Sequence, residues 1–151
     1  MVSYFGEIMD AEQILNEYLR QAVLSATEEV ADYATQHHGF KSRTGNLERS
    51  ITSIHSRDGL KGWVTIDRAQ APYGTYVHQG YGAFTIVPRN KKVLRWVGRD
   101  GKFVFAKRVR HPGYKGDPFL FNALDAKKEY VSKVFDNRID AAIQEIIKAM
   151  G

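Results

Sequence analysis

Apolar side chains recur every three to four positions from Ile14 to Ala34, through Leu15, Tyr18, Leu19, Ala22, Val23, Ala26, Val30 and Tyr33. That period matches one face of an α-helix and predicts a helix over residues 10–38, with carboxylates on the opposite face. Asp10 followed by Gln13 suits a capping box, and Gly39 suits a stop. A second run has the same period: Leu120, Ala123, Leu124, Val131, Val134, Phe135, Ile139, Ala142, Ile143, Ile146 and Ile147. It predicts a helix over 118–150, roughly 46 Å long if unbroken. Asp117 and Pro118 supply its start, as an N-cap side chain and a first-turn proline. A helix of that length either projects onto a neighbouring chain or kinks, with Asp136-Asn137 the place for a kink.

Between the helices the period shortens. Residues 39–49 carry Gly39, Ser42, Thr44, Gly45 and Asn46 and read as a loop or short turn. Ser50–Ser56 and Gly62–Asp67 read as two strands joined by a turn at Arg57-Asp58-Gly59. Residues 72–88 start as a helical turn over Tyr73–His78 and end as a strand over Phe84–Val87. Val93–Val97 and Lys102–Val109 read as strands joined by Gly98-Arg-Asp-Gly101, and residues 110–118 as a loop. The whole is an α+β domain over 1–151. It has an antiparallel sheet of about four to five strands in a β-rich stretch over 50–109, with a long N-terminal and a long C-terminal helix packed against it.

The chain has 151 residues and no cysteine, which excludes a thiol nucleophile, a zinc–cysteine site and a disulfide framework. One domain of this size buries roughly two thirds of its unfolded surface and folds without staples. Met1–Asp10 has no Lys or Arg and no long apolar run, so no secretory signal is expected. No apolar stretch approaches the roughly 20 residues of a membrane span. A soluble protein made in the cytoplasm is the expectation, with no membrane partner.

Charge is unevenly placed. Residues 1–38 hold seven acidic side chains against Arg20 alone, and residues 89–115 hold ten basic ones against Asp100 alone. This asymmetry suits a polyanion partner, or copies meeting acidic face to basic face. Trp96, Phe103, Phe105 and Tyr114 interleave with the basic side chains, as in single-strand nucleic-acid sites. The alternation of Phe103 and Phe105 assigns them instead to the core, with Lys and Arg on the opposite face.

Candidate chemistry is sparse. His37-His38 closes the first helix, His55 lies in a strand, and His78 and His111 fall in loops. None has metal-ligand spacing, and the adjacent pair suits a helix C-terminus by its dipole. Carboxylates gather on the helices, and Asp58 and Asp100 occupy turns. Gly80-Tyr-Gly82 lacks the ending of a phosphate loop. No catalytic residue, metal or cofactor is expected.

Three motifs in order resemble the tail-component or tail-completion proteins of long-tailed phages and prophages, also called head–tail joining or neck proteins. They are Arg43-Thr-Gly-Asn-Leu-Glu-Arg-Ser-Ile51, then Tyr73-Gly-Thr-Tyr-Val-His-Gln-Gly80 with Ile86-Val-Pro88 and Lys91-Lys92-Val-Leu94, then His111-Pro-Gly113 with Pro118-Phe-Leu120 and Ala123-Leu124. The resemblance covers about residues 40–125. It departs at Gly74, commonly Ala in the family, and at 81–84. It implies a non-enzymatic virion subunit that forms a ring, a hexamer by family analogy, with other head-completion and tail proteins as partners and possible contact with channel DNA. A basic nucleic-acid-binding module is the alternative, and a small hydrolase a more distant one. Thr44, Gly45 and Asn46 read as turn formers, His111, Pro112 and Gly113 as a rigid bend, and Asp117, Pro118 and Phe119 as the start of the last helix. Tyr76, His78, Tyr81, Arg89, Lys91, Lys92 and Arg95 are the candidate assembly contacts, because exposed aromatics beside charge are favoured at interfaces.

Overall fold

The computed structural model describes residues 4–151. The first three residues, part of the segment read for a targeting signal, and the side chains of residues 4–9 lie outside that description. The elements in order are α1 (Tyr4–Gln36), α2 (Asn46–Ser50), β1 (Ile51–His55), β2 (Gly62–Ile66), α3 (Gly74–Gln79), β3 (Phe84–Ile86), β4 (Leu94–Val97), β5 (Phe103–Ala106), β6 (Val109–His111) and α4 (Phe119–Met150). The α+β class and both long helices agree with the sequence reading.

Helices α1 and α4 run antiparallel. Tyr18 donates to Glu145 at 2.5 Å, Arg138 donates to Gln21 at 2.9 Å, and Lys127 pairs with Glu29 at 2.7 Å. Ala22, Ala26, Ala31 and Ala34 are buried on α1, and Ala123 and Ala142 on α4. Small side chains along this seam let the two axes approach closely. The Lys127 ammonium also lies over the ring of Tyr33 at 5.2 Å, and its hydrogen bond to Glu29 raises its pKa.

One core joins the helices to the middle of the chain. Val30, Ala34, Phe40, Leu47, Ile51, Ala71 and Phe119 form it. Phe119 is fully buried, edge-on to Phe40 at 5.0 Å between centroids, and its burial contributes about 2 kcal/mol. Strands β1 and β2 pair from Ile51↔Ile66 to His55↔Gly62 and lie along α1.

Several boundaries differ from the expectation. Helix α1 runs back to Tyr4, so Asp10 and Gln13 sit inside it and make no capping box. Phe5, Ile8 and Met9 extend the three-to-four spacing upstream, and the helix runs through Gly6 with no proline to stop it. Residues 46–49 of the supposed loop, with Ser50 from the start of the expected strand, form α2. Asp117 does not cap α4: the capping position is Pro118, with no side-chain bond to the helix. Helix α4 is continuous through Asp136-Asn137.

The single sheet is replaced by three two-stranded ladders, β1–β2, β4–β5 and β3–β6. The strand read over 102–109 breaks at Lys107-Arg108, and its end becomes β6, which pairs with β3 from Phe84↔His111 to Ile86↔Val109. Strands of three to five residues cannot extend a continuous sheet across Gly80, Gly82 and Pro88.

Candidate assembly interface

The Thr44-Gly45-Asn46 turn opens α2. Gly45 takes φ 70°, a left-handed conformation that suits glycine. Arg49 locks the turn from below, donating to the Asn46 side chain at 2.6 Å and to the Thr44 carbonyl at 3.2 Å. Leu47 is thereby directed into the core, against the backbone of Gly74. A Cβ at Gly74 would meet Ile66 Cγ2 at 2.7 Å and Leu47 Cδ1 at 2.9 Å. The departure from Ala at this position therefore has a packing reason.

The His111-Pro112-Gly113 bend is held by its own imidazole. Gly113 N–H donates to His111 Nδ1 at 3.0 Å, which makes that nitrogen the acceptor and leaves the ring proton on Nε2 when neutral. The same ring stacks on Phe84 at 5.0 Å. Tyr81 and Tyr114 exchange backbone hydrogen bonds, both 2.8 Å, and bring the bend against the end of α3. His111, read as a loop residue, lies in β6, whereas His78 lies in α3, where the helical turn was expected over Tyr73–His78.

The candidate contacts fall into three groups. Tyr76 and Tyr81 stand exposed, edge to face at 6.5 Å. With Tyr73, Tyr114 and residues 40–48 they line an open cleft of about 650 Å³. His78 does not belong with them. Its side chain is buried at 9% exposure, edge-on to Phe119 and Phe121, and its Nε2 has no hydrogen-bond partner. Burial lowers its pKa against the opposing pull of Asp117. Packed against Phe119 and Phe121, it supports the fold and offers little outer surface. Arg89, Lys91 and Lys92 form the third group, exposed on the segment between β3 and β4, with Arg95 on β4. None of the four has an ion-pair partner among the described residues.

The carboxylate lining the tyrosine cleft is Glu48. Burial raises its pKa, but a hydrogen bond from Ser42, its own backbone and nearby His38 outweigh that and hold it below the usual range. A general acid needs a shift in the other direction. Among the described residues no three His, Asp or Glu side chains gather as a metal site. Among them too, no helix is long and apolar enough to cross a membrane.

Sequence reasoning missed the apolar surface of the β4–β5 hairpin. Phe103 and Phe105 are 58% and 61% exposed rather than core. The register pairs Arg95↔Phe105 and Val97↔Phe103 on one face, Leu94↔Ala106 and Trp96↔Val104 on the other. Both faces are therefore apolar, and the Arg95 guanidinium lies 4.6 Å above the Phe103 ring on the same face. The signal was present in consecutive apolar pairs, Trp96-Val97 and Phe103-Val104-Phe105, a pattern of strands covered on both sides. A second apolar surface is a groove of about 460 Å³ between α1, β2 and α4, lined by Val23, Trp63, Phe121, Leu124, Val131 and Phe135 among others. Set against known proteins, the chain matches no family model, no curated protein and no solved structure.

Proposed function

We propose that the chain is a non-enzymatic structural subunit of a tailed-phage particle, made in the host cytoplasm and built into the virion. There it forms a ring at the head–tail junction that completes the tail or joins it to the head. The observation that carries this reading is the β4–β5 hairpin, which exposes apolar side chains on both faces and carries basic ones at both ends. A surface of that kind on a folded chain calls for another molecule to cover it. The three motifs of the phage-family resemblance supply the identity of the assembly, and an acidic α1 and a basic hairpin on one chain suit head-to-tail contact between copies.

The test is the absolute mass of the purified protein by light scattering at low and high salt, with electron microscopy of the same sample. A closed multimer weakened by salt is the expected result. A monomer at every concentration and salt would overturn the ring.

A nucleic-acid-binding module is the second reading. The nine basic side chains between Arg89 and Arg110, interleaved with Trp96 and Phe103, favour it. Its mark is tight, strongly salt-dependent binding of a DNA oligonucleotide by the monomer, read by fluorescence anisotropy.

A further inference from the structure

Exposed rings also gather away from the hairpin. Tyr76, Tyr81 and Tyr114 line the open cleft beside α2, and Tyr81 lies 6.0 Å from Phe84 between centroids. Phe84 in turn stacks on His111. The bridge Tyr81↔Tyr114 and the pair Phe84↔His111 follow one another along the same two runs of chain. A row of aromatic rings thus leads out of the cleft onto the β3–β6 ladder. Tyr76, Tyr81, Tyr114 and Phe84 are all exposed, Tyr76 by 62%.

The facing wall, residues 40–48, sets the charge of what fits. Its carboxylate, Glu48, accepts a hydrogen bond from Ser42 and lies 3.5 Å from His38 Nε2. Asn46 Oδ1 accepts from Arg49, and Thr44 Oγ1 accepts the Asn46 N–H. These side-chain acceptors are therefore engaged within the chain. The two cations of the wall, Lys41 and Arg43, are exposed and have no ion-pair partner among the described residues. The cleft suits a ligand that is anionic, rich in acceptors and equipped with flat faces for the rings.

A single nucleic-acid strand has all three properties. Its phosphates are anionic acceptors, and every unpaired base has a face that stacks on an aromatic ring. An acidic peptide would bring an N–H donor at every residue except proline, and the carboxylate of Glu48 is already taken. In a duplex the base faces are stacked on one another and closed to tyrosine.

We propose that the tyrosine cleft binds single-stranded nucleic acid, with a base on Tyr76, phosphates at Lys41 and Arg43, and the strand leaving along Tyr81 and Phe84. This rests on the nucleic-acid reading and gives it a site apart from the hairpin. It is independent of the ring.

The test is fluorescence anisotropy of a fluorescein-labelled oligothymidylate of about eight nucleotides, titrated with the full chain. Tyr76→Ala should weaken binding by about tenfold, and Tyr76→Phe, which keeps the ring, by less than about twofold. Arg43→Gln should weaken binding and lower the slope of log affinity against log salt by about 0.7, the loss of one phosphate contact. Both side chains are exposed, and Arg43→Gln carries the test if Tyr76→Ala does not fold. The hairpin variant Phe103→Ser with Phe105→Ser should bind as the parent does. Binding lost in the hairpin variant and kept in both cleft variants overturns the cleft and leaves the nucleic-acid reading standing. No binding by the parent overturns both. A duplex of the same length, or a peptide of alternating Glu and Tyr, that binds as tightly as the strand also overturns the proposal. An oligouridylate of equal length, titrated beside the oligothymidylate, tells an RNA strand from a DNA strand by the tighter binding.

Discussion

The carboxylate of Asp117 accepts the backbone N–H of Gly39 at 2.6 Å, tying the end of the N-terminal helix to the start of the C-terminal one. The same oxygen accepts the N–H of Phe40 at 2.9 Å. Asp117 thus serves a helix end distant in sequence instead of capping its own. Hydrogen bonds to an ionised group contribute about 1.5–3 kcal/mol, less where water reaches the pair. Asp117→Ala should cost about 2 kcal/mol. Asp117→Asn keeps one acceptor oxygen for both N–H groups and should cost under about 1 kcal/mol. Urea unfolding midpoints at unchanged slope would show the difference. Equal losses would mean that charge, not hydrogen bonding, is the contribution.

Both long helices and the β1–β2 hairpin were legible because their signals are local: a 3.6 period, or two short β-prone runs around Asp58-Gly59. The role of Asp117 was not, because an Asp before a proline reads as a cap and nothing in the sequence announces a partner at Gly39. The last strand was missed in place as well as in partner, since residues 110–118 read as a loop. Val109–His111 pairs with β3, across a loop, and pairing at that separation leaves no mark in either strand. The exposure of Tyr76, Tyr81 and Arg89 was legible from aromatics and charge in a loop-rich stretch. His78 lies two residues from each of Tyr76 and Gly80, and only the helical turn of α3 sends its ring inward to Phe119.

Gly80 gives a sharper expectation. It has φ 78° and ψ −179°, a region open essentially to glycine alone. A Cβ there would lie 2.5 Å from the Tyr114 carbonyl oxygen and 2.6 Å from the Lys115 backbone. Backbone held by the Tyr81–Tyr114 bridge cannot yield cheaply. Gly80→Ala should destabilise by more than about 2 kcal/mol. Gly82, two residues on, has open space around its Cβ position, so Gly82→Ala should change stability by under about 0.5 kcal/mol. Thermal midpoints of the two variants test the contrast, and a tolerated Gly80→Ala would mean that the bend at Gly113 is not fixed against α3.

His78 should make stability depend on pH. Burial lowers its folded pKa, with Asp117 opposing. Below the unfolded value of about 6.5 the unfolded chain takes up a proton that the folded chain resists. The unfolded state then binds more protons, so stability falls as pH drops from there, until the folded pKa is reached and the loss levels off. His78→Phe removes the titrating group and the unpartnered nitrogen while keeping a ring between Phe119 and Phe121. Its unfolding midpoint should be flatter between about pH 5 and 7 than the parent's. A parent and variant with parallel profiles would assign the pH dependence to another group.

The hairpin aromatics separate folding from assembly. Phe103 and Phe105 lie largely outside the core, so replacing both with Ser removes little packing within the chain. Each such surface change typically alters stability by under about 0.5 kcal/mol. An associating chain, however, gains stability with concentration by mass action. The parent's unfolding midpoint should therefore rise with protein concentration, and that of Phe103→Ser with Phe105→Ser should not. At the lowest concentration the two midpoints should converge, because both then report the lone chain. Midpoints that stay apart at every dilution would place the two rings in the fold of the single chain and remove them from any contact between copies.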